Sequence, residues 1–441
     1  VKYIALLAAL ALAGSVAASS PEAKEMTLDD CVRRALKVNP RILDAEEGVA
    51  KAEGSIGEAR SGFLPQLSLS GLYNFAEKSQ MVQFPGPTGQ LEEFELDFTL
   101  DYALNASLSQ PIYTGGAATS SYRISRYGKD IAQADLERAK ADLALQVLVQ
   151  FYALLAAREA VTVAEEALQN AEEHYRVTQA RYDAGEVSEY DVMRAEVAVV
   201  NLRPGLISAR NSLHVSELAL KNYMMLDPES DIEFVGTLEQ IDYEVEPEEA
   251  VETAYRNRPE MRIAGKQVDI AGESMTLAKA GRRPTFSLTG SYDLRSDDLS
   301  LSGDDWDDSY SGYLVLSWSI FDGLRTRAKI SQAHSEIRQA EIGVEELERA
   351  VELEVRSALL DVNAAREALN SQERNVETAK KGLAIANDRY ASGLATSLEV
   401  IDARLALTEA QRNRISSLLD FNVSTARLMR AVGVLLRDYT E

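Results

Sequence analysis

Glu399 and Asp402, three residues apart in YASGLATSLEVIDARLAL (residues 390–407), are the acids whose spacing most invites a chemical reading. At i,i+3 on a helix they share one face. There they can act as a paired negative site or as ordinary solvated surface acids. A related stretch, YDAGEVSEYDVMRAEVAV at residues 182–199, places Asp191 where the first has Glu399 and Arg194 where it has Asp402. Catalytic chemistry is not indicated. His174, His214 and His334 lie in separate helical stretches without metal-ligand spacing, and no nucleophile motif or phosphate loop accompanies them. Paired acids such as Asp29 and Asp30 are too common to mark acid–base catalysis in a chain with 70 acids against 46 bases. We expect no enzyme and no cofactor. The formal charge of -24 argues against nucleic acid or an anionic membrane surface as ligand. Cys31, the only cysteine, can form no intrachain disulfide; it follows TLDD and reads as a helix-packing residue.

The elements that position these residues are written twice. LDDCVRRALKVNPRI (28–42) parallels EEAVETAYRNRPEMR (248–262), and SGFLPQLSLSGLYN (61–74) parallels AGRRPTFSLTGSYD (280–293), both at an offset of 219 when Pro40 is matched to Pro259 and Pro65 to Pro284. SLSQPIYTGG (107–116) and VLSWSIFDGL (315–324), like the two Tyr-Gly stretches, keep an offset of 208, so the first half carries eleven extra residues before Tyr102. In each half a short helix leads through Pro40 or Pro259 into a longer one ending near Gly62 or Gly281. The period then changes from about 3.6 to 2. Leu67, Leu69, Gly71, Tyr73 and Phe75 alternate with Ser68, Ser70, Leu72 and Asn74, and Leu96 to Leu108 alternate likewise. Phe286 to Leu294 and Tyr310 to Ile320 repeat the pattern, giving four strands. The segments EKSQMVQFPGPTGQLEEFE and RSDDLSLSGDDWDDS between them read as polar loops.

Long helices follow, from about Thr119 to Arg181 and Thr326 to Arg389, each succeeded by another from about Ser188 or Thr396. Val147, Leu154, Val161, Leu168 and Tyr175 recur every seventh residue, as do Val355, Val362, Leu369, Val376 and Leu383. Such a repeat marks a supercoiled seam. Around it we divide the chain into a secretory signal peptide (1–17), a first repeat (18–222), a linker (223–247), a second repeat (248–431) and a tail (432–441). If the strands cross a membrane, their apolar face meets lipid while Ser68, Ser70, Asn74, Ser107 and Ser109 face a wet lumen. Four strands leave open edges, so closure needs strands from other chains. Two alternatives remain open on these residues: a soluble sheet packed on helices, and a non-channel structural coiled-coil protein of the cell envelope.

The opening helices with their N-P or R-P pair, the P-x-x-S-x-x-G-x-Y strand entries at Pro65 and Pro284, the strand exits and both Y-x-x-G breaks together resemble the TolC family of bacterial outer-membrane efflux and secretion channels. The resemblance implies a mixed α and β membrane protein: a homotrimeric twelve-stranded β-barrel, four strands per chain, continued by a long periplasmic α-helical coiled-coil barrel. It implies an outer-membrane location with a large periplasmic extension, and partners in a periplasmic adaptor protein, an inner-membrane transporter and outer-membrane lipid, with no nucleic acid. By the same resemblance, Gly185, Glu186, Val187, Gly393, Leu394 and Ala395 form tips that contact the adaptor. Glu399, Asp402 and Asp191 fall at the periplasmic constriction, and Glu189 or Asp191 is expected to pair with Arg194 or Arg404 and hold the tips closed. The implied activity is efflux of small toxic compounds or drugs through a tripartite pump. A type I protein secretion conduit is the alternative.

Overall fold

A computed structural model of the chain describes residues 24–74, 79–85, 90–97, 102–296, 306–437 and 439. The expected signal peptide, Phe75, and Phe98 and Leu100 of the expected second strand lie outside the described residues. In chain order the elements are β1 (Lys24–Met26), α1 (Leu28–Val38), α2 (Pro40–Ser61), β2 (Gln66–Tyr73), β3 (Ser79–Pro85), β4 (Leu91–Asp97), β5 (Tyr102–Tyr113), α3 (Ala117–Asp183) and α4 (Glu189–Tyr223). The second half runs β6 (Ile232–Phe234), α5 (Pro247–Asn257), α6 (Pro259–Ala280), β7 (Thr285–Ser296), β8 (Asp307–Ser317), α7 (Arg325–Ala391) and α8 (Ser397–Val432). Both long helices have 67 residues, or about 100 Å at 1.5 Å per residue.

The four expected strands form one antiparallel sheet in the order β2-β5-β7-β8, so the halves join through β5 and β7. Register gathers an apolar row and a hydroxyl row on opposite faces, although Asp308 and Gln110 fall on the apolar side. Leu67, Leu108 and Gly290 are aligned, as are Leu69, Ala106, Tyr292 and Tyr310, and Gly71, Leu104 and Leu294, on one face. Ser68, Ser107, Ser291 and Ser311 are aligned on the other, with Ser68–Ser107 and Ser291–Ser311 hydroxyls 2.7 and 2.9 Å apart. Beside that row Asn105 donates to Asp293 at 2.8 Å.

Three strand expectations need correction. The segment read as a polar loop holds two antiparallel strands, β3 paired with β4. Leu96 belongs to that pair, and the strand paired with β2 starts at Tyr102. β8 ends at Ser317, short of Ile320, because the chain turns towards α7 and the Trp318 indole donates to the Arg282 carbonyl at 3.1 Å. The linker holds one strand, β6, paired in parallel with β1 far upstream.

The core sits where the short helices meet the long ones. Cys31, Val32, Ile42, Val147, Phe151, Leu154, Leu220 and Phe234 are buried together, and the tail adds Leu435. This explains why α3 contains a stretch apolar enough to cross a membrane, since half of that stretch is buried inside the protein. Burial first, then the Asp30 carboxylate, pushes the Cys31 thiol up to about 12, which suits a packing residue. On the other side of the core Arg258, only 4% exposed, bonds Glu354 at 2.7 Å and Glu260 at 3.4 Å. Arg430 bonds Asp142 at 2.8 Å and the same Glu260 at 2.9 Å. This ion network ties α3, α6, α7 and α8 at one level.

The seam of α7 follows the expected heptad: Val355, Val362, Leu369 and Val376 are buried against α8 and its surroundings. That of α3 departs from it. Val161, Leu168 and Tyr175 are half-buried, whereas Val163, Ala164, Ala171, His174 and Thr178 are buried. The reason is that α3 packs against both α4 and α8, so its buried stripe shifts to serve two neighbours. α4 and α7 have fewer long neighbours and keep apolar side chains exposed: Met193, Val197, Val200 and Ile207 on α4, Leu353 and Leu360 on α7.

Candidate functional site

Both Y-x-x-G breaks are hairpin tips built alike. After α3 the Glu186 N–H donates to the Arg181 carbonyl and Gly185 N–H to Tyr182, each at 2.8 Å; after α7 Leu394 and Gly393 do the same to Arg389 and Tyr390. This is the glycine-terminated helix end that satisfies otherwise free carbonyls. It requires a left-handed residue, and φ is 78° at Gly185 and 73° at Gly393. Leu394 is 71% exposed at its tip, Glu186 is exposed, and Val187 and Ala395 are half-buried. The tips thus present a short, largely solvent-facing surface.

The acids divide into two kinds. Asp191 accepts from the Ser188 N–H and hydroxyl at 3.2 and 2.7 Å, and Glu399 from the Thr396 N–H at 3.2 Å, so each closes a capping box on the helix that follows its tip. The second oxygen of Glu399 lies 4.0 Å from Arg389. Asp402 is exposed and, among the described residues, its carboxylate has no partner. Glu399 therefore holds helix structure with part of its charge, while the Asp402 carboxylate faces solvent.

Within one chain the expected ion pairs of Glu189 or Asp191 with Arg194 or Arg404 do not form. Glu189 is exposed, and Arg194 lies over the Tyr190 ring at 5.7 Å. Arg404 reaches back to the Asn170 carbonyl on α3, and its Nε is buried without a partner. Burial holds its pKa below the usual guanidinium range, with Glu173 opposing.

What joins the two tips is a set of residues outside the acidic pairs. Arg181 donates to Glu186 at 3.0 Å and to the Tyr390 carbonyl at 3.4 Å, with its guanidinium 4.9 Å from the Tyr390 ring centre. Beneath it His174, 5% exposed, meets the Ser397 hydroxyl at 3.0 Å and stands 5.5 Å from the same ring. Burial, and then the Arg404 charge, depress His174 to about 4, so it is neutral at pH 7. The Tyr390 hydroxyl and Thr178 hydroxyl are buried without partners. Below this cluster, a groove of about 250 Å³ between α3, α4 and α8 is lined by Asn170, Ala198, Asn201, Leu202 and Leu405. The signal for the cluster was in the repeat, since Tyr390 opens one Y-x-x-G break; nothing in spacing pointed to His174.

Among the described residues no group of His, Cys, Asp and Glu is gathered as a metal site. The chemistry of the arrangement is that of a two-faced sheet with a hydroxyl row, rods about 100 Å long, and charged tips at their far end. Compared with known proteins, the chain matches the family profile described as Outer membrane efflux protein over residues 31–224 and 250–434. It is 27% identical over 201 residues to the outer membrane protein TolC of Vibrio cholerae, covering 46% of this chain and 44% of that protein, less than half of the relative's length. Similarity to the outer membrane efflux protein BepC of Brucella suis is 22% over 433 residues, 98% of this chain and 90% of BepC. The crystal structure of the outer membrane protein VceC of Vibrio cholerae superimposes with a TM-score of 0.75 at 18% identity, over 92% of this chain and 96% of that one, so the fold is shared.

Proposed function

As the chain belongs to the outer membrane efflux protein family, a family of outer-membrane channels and not of enzymes, we propose that three copies form a conduit carrying small toxic compounds or drugs from a tripartite pump to the exterior. The observation that carries this reading is the sheet. The serine row and the apolar row of Leu69, Ala106, Tyr292 and Tyr310 each run across four strands, while among the described residues β2 and β8 have no partner along their outer edges. Open edges are not tolerated in hydrocarbon, so the chain must meet copies of itself, and three copies give twelve strands. The exposed apolar side chains of α4 and α7 need covering at the same time. Rods of this length then carry the lumen through the periplasm to the tips.

At the far end the tips dock a periplasmic adaptor through Gly185, Glu186, Val187, Gly393, Leu394 and Ala395, and an inner-membrane transporter supplies the energy. Passage through this chain is passive. Threefold symmetry places Asp402 and Glu399 around the entrance, where they attract cations and repel anions. In the closed state Arg194 is the cation left to pair with Glu189 or Asp191 across the tips, since Arg404 is held by the Asn170 carbonyl. Opening separates the tips, and the adaptor favours the open population. Purified protein in a planar bilayer tests the reading. Stable cation-selective conductance from a cross-linkable trimer is expected; protein that stays monomeric or makes no pore refutes it.

A further inference from the structure

The net charge of -24 conceals a local reversal. In residues 59–65, 111–129, 274–285 and 318–335, where the sheet passes into the long helices, ten Arg and Lys stand against one acid, Asp322. That acid is engaged: it accepts from the Thr326 N–H at 2.8 Å and from the Thr326 hydroxyl. Arg123 and Lys129 pair with Glu273 and Glu53, at 3.0 and 2.8 Å, and Arg283 donates to the Gly115 carbonyl at 3.0 Å. Arg60, Arg126, Lys279, Arg282, Arg327 and Lys329 make no side-chain hydrogen bond or ion pair among the described residues. All except the partly covered Lys129 are exposed.

These charges lie beside the lower margin of the apolar face. Trp318 and Ile320 continue the alternation of Tyr310, Leu314 and Leu316 past the end of β8, and are 59% and 86% exposed. Phe321, Tyr113 and Phe63 are exposed at the same margin. Exposed aromatic side chains at the end of an apolar band mark the level of lipid headgroups. Two contacts fix the cations to this margin. The Trp318 indole is bonded to the Arg282 carbonyl, and buried Thr326 stands so close to Gly281 that an added Cβ would lie 2.8 Å from its hydroxyl. The second contact brings Arg282 next to Arg325 and Arg327 at the start of α7.

We propose that this collar binds the phosphate headgroups of anionic glycerophospholipids in the membrane leaflet on the helical side of the sheet. It rests on the membrane placement of the sheet proposed above. Guanidinium groups bond phosphate oxygens in pairs, and a basic side chain beside an anionic lipid surface contributes about 1 kcal/mol, roughly a fivefold gain in binding. The acidic tips, at the opposite end of the rods, are kept from such a surface by their own charge.

The test uses the full chain purified in detergent, with phosphatidylglycerol or phosphatidylcholine added and retained lipid counted by native mass spectrometry. We expect phosphatidylglycerol to be retained at least about tenfold more tightly, the difference shrinking as salt rises. The triple variant Arg282→Gln, Arg325→Gln, Arg327→Gln should lose on the order of a hundredfold at about fivefold per charge. A control variant, Arg349→Gln, Arg374→Gln, Lys380→Gln, removes as many charges from α7 away from the collar and should lose none. Equal retention of the two lipids, equal loss in both variants, or preference for lipid A of the opposite leaflet overturns the collar. Conductance measured in the same preparations separates the two readings: a working pore with no lipid preference overturns the collar alone, and the absence of any pore overturns the channel.

Discussion

Acidification should loosen the junction of α3 with α8 beneath the tips, because His174 is packed there in its neutral form. Its pKa falls from an ordinary 6.5 to about 4, through burial first and the Arg404 charge second. Between those values the opened chain binds more protons than the folded one, so stability rises with pH across this window. The contribution is fully present above about pH 6.5 and is lost as pH falls towards 4. At pH 5 the two-pKa relation gives about 2 kcal/mol, or roughly a thirtyfold loss of protection against local opening, and about 3 kcal/mol is the limit at lower pH. Ser397 and Tyr390 contact the ring, the Arg404 charge acts on it, and Glu173 acts in turn on Arg404. His214 and His334 are exposed and outside this contact. Hydrogen exchange of amides in 170–182 and 397–404, corrected for intrinsic rates at pH 7.5 and 5.0, reads the effect directly. The variant His174→Gln should abolish the pH-dependent part. Protection that does not change with pH, or falls equally in His174→Gln, would refute the account.

Three further outcomes follow from the geometry. Asp402→Asn should reduce cation selectivity in bilayer recordings with little change in stability, whereas Glu399→Ala should also remove the acceptor of the Thr396 N–H, at a cost of about 1 kcal/mol, and raise exchange in the first turn of α8. Gly185→Ala and Gly393→Ala should each cost about 1 kcal/mol of local tip stability from backbone strain alone, since no atom lies within 4 Å of the added Cβ; Gly115→Ala should cost more, because there the Cβ would also meet the Ala280 carbonyl at 3.0 Å. Glu260→Ala should lower the resistance of the helical core to urea by about 1–3 kcal/mol, the loss of charge-assisted bonds to two guanidinium groups, because Arg258 keeps Glu354 and Arg430 keeps Asp142. Burial raises the Glu260 pKa, but the Arg258 bond and the Arg258 and Arg430 charges outweigh it and leave it lowered, so its contribution is present above the usual carboxylate range and fades as pH falls below about 4.

Much of the architecture could be read from period and repetition. The change from 3.6 to 2 located four strands, and offsets of 219 and 208 located two helical hairpins, with the long helices placed within about two residues of their observed ends. What was missed depends on contacts between distant segments. β1 and β6 have three residues each, too few to show a period, and they pair across most of the first repeat. The β3–β4 pair lies in a stretch whose Pro-Gly-Pro sequence looks like loop chemistry. The shifted stripe on α3 reflects two packing partners, which a single-helix heptad cannot contain. Both tip glycines were legible because only glycine suits the turn, but Glu399 was read for its charge alone, and its cap became visible only with Thr396 beside it. The overall acidity likewise averaged away the basic residues that four separate segments bring to one level.

The unpaired edges of β2 and β8 make each copy answerable for two contacts, one on either side. A copy with a proline in the middle of β8 could still offer β2 to a neighbour but would leave the ring unsealed. Mixed expression should therefore be dominated by the defective copy: with equal amounts of both and three places per ring, only about one ring in eight would contain none. In a ring closed as proposed, folding in the membrane and assembly would be one concentration-dependent event, so lowering the chain's concentration should cost folded protein.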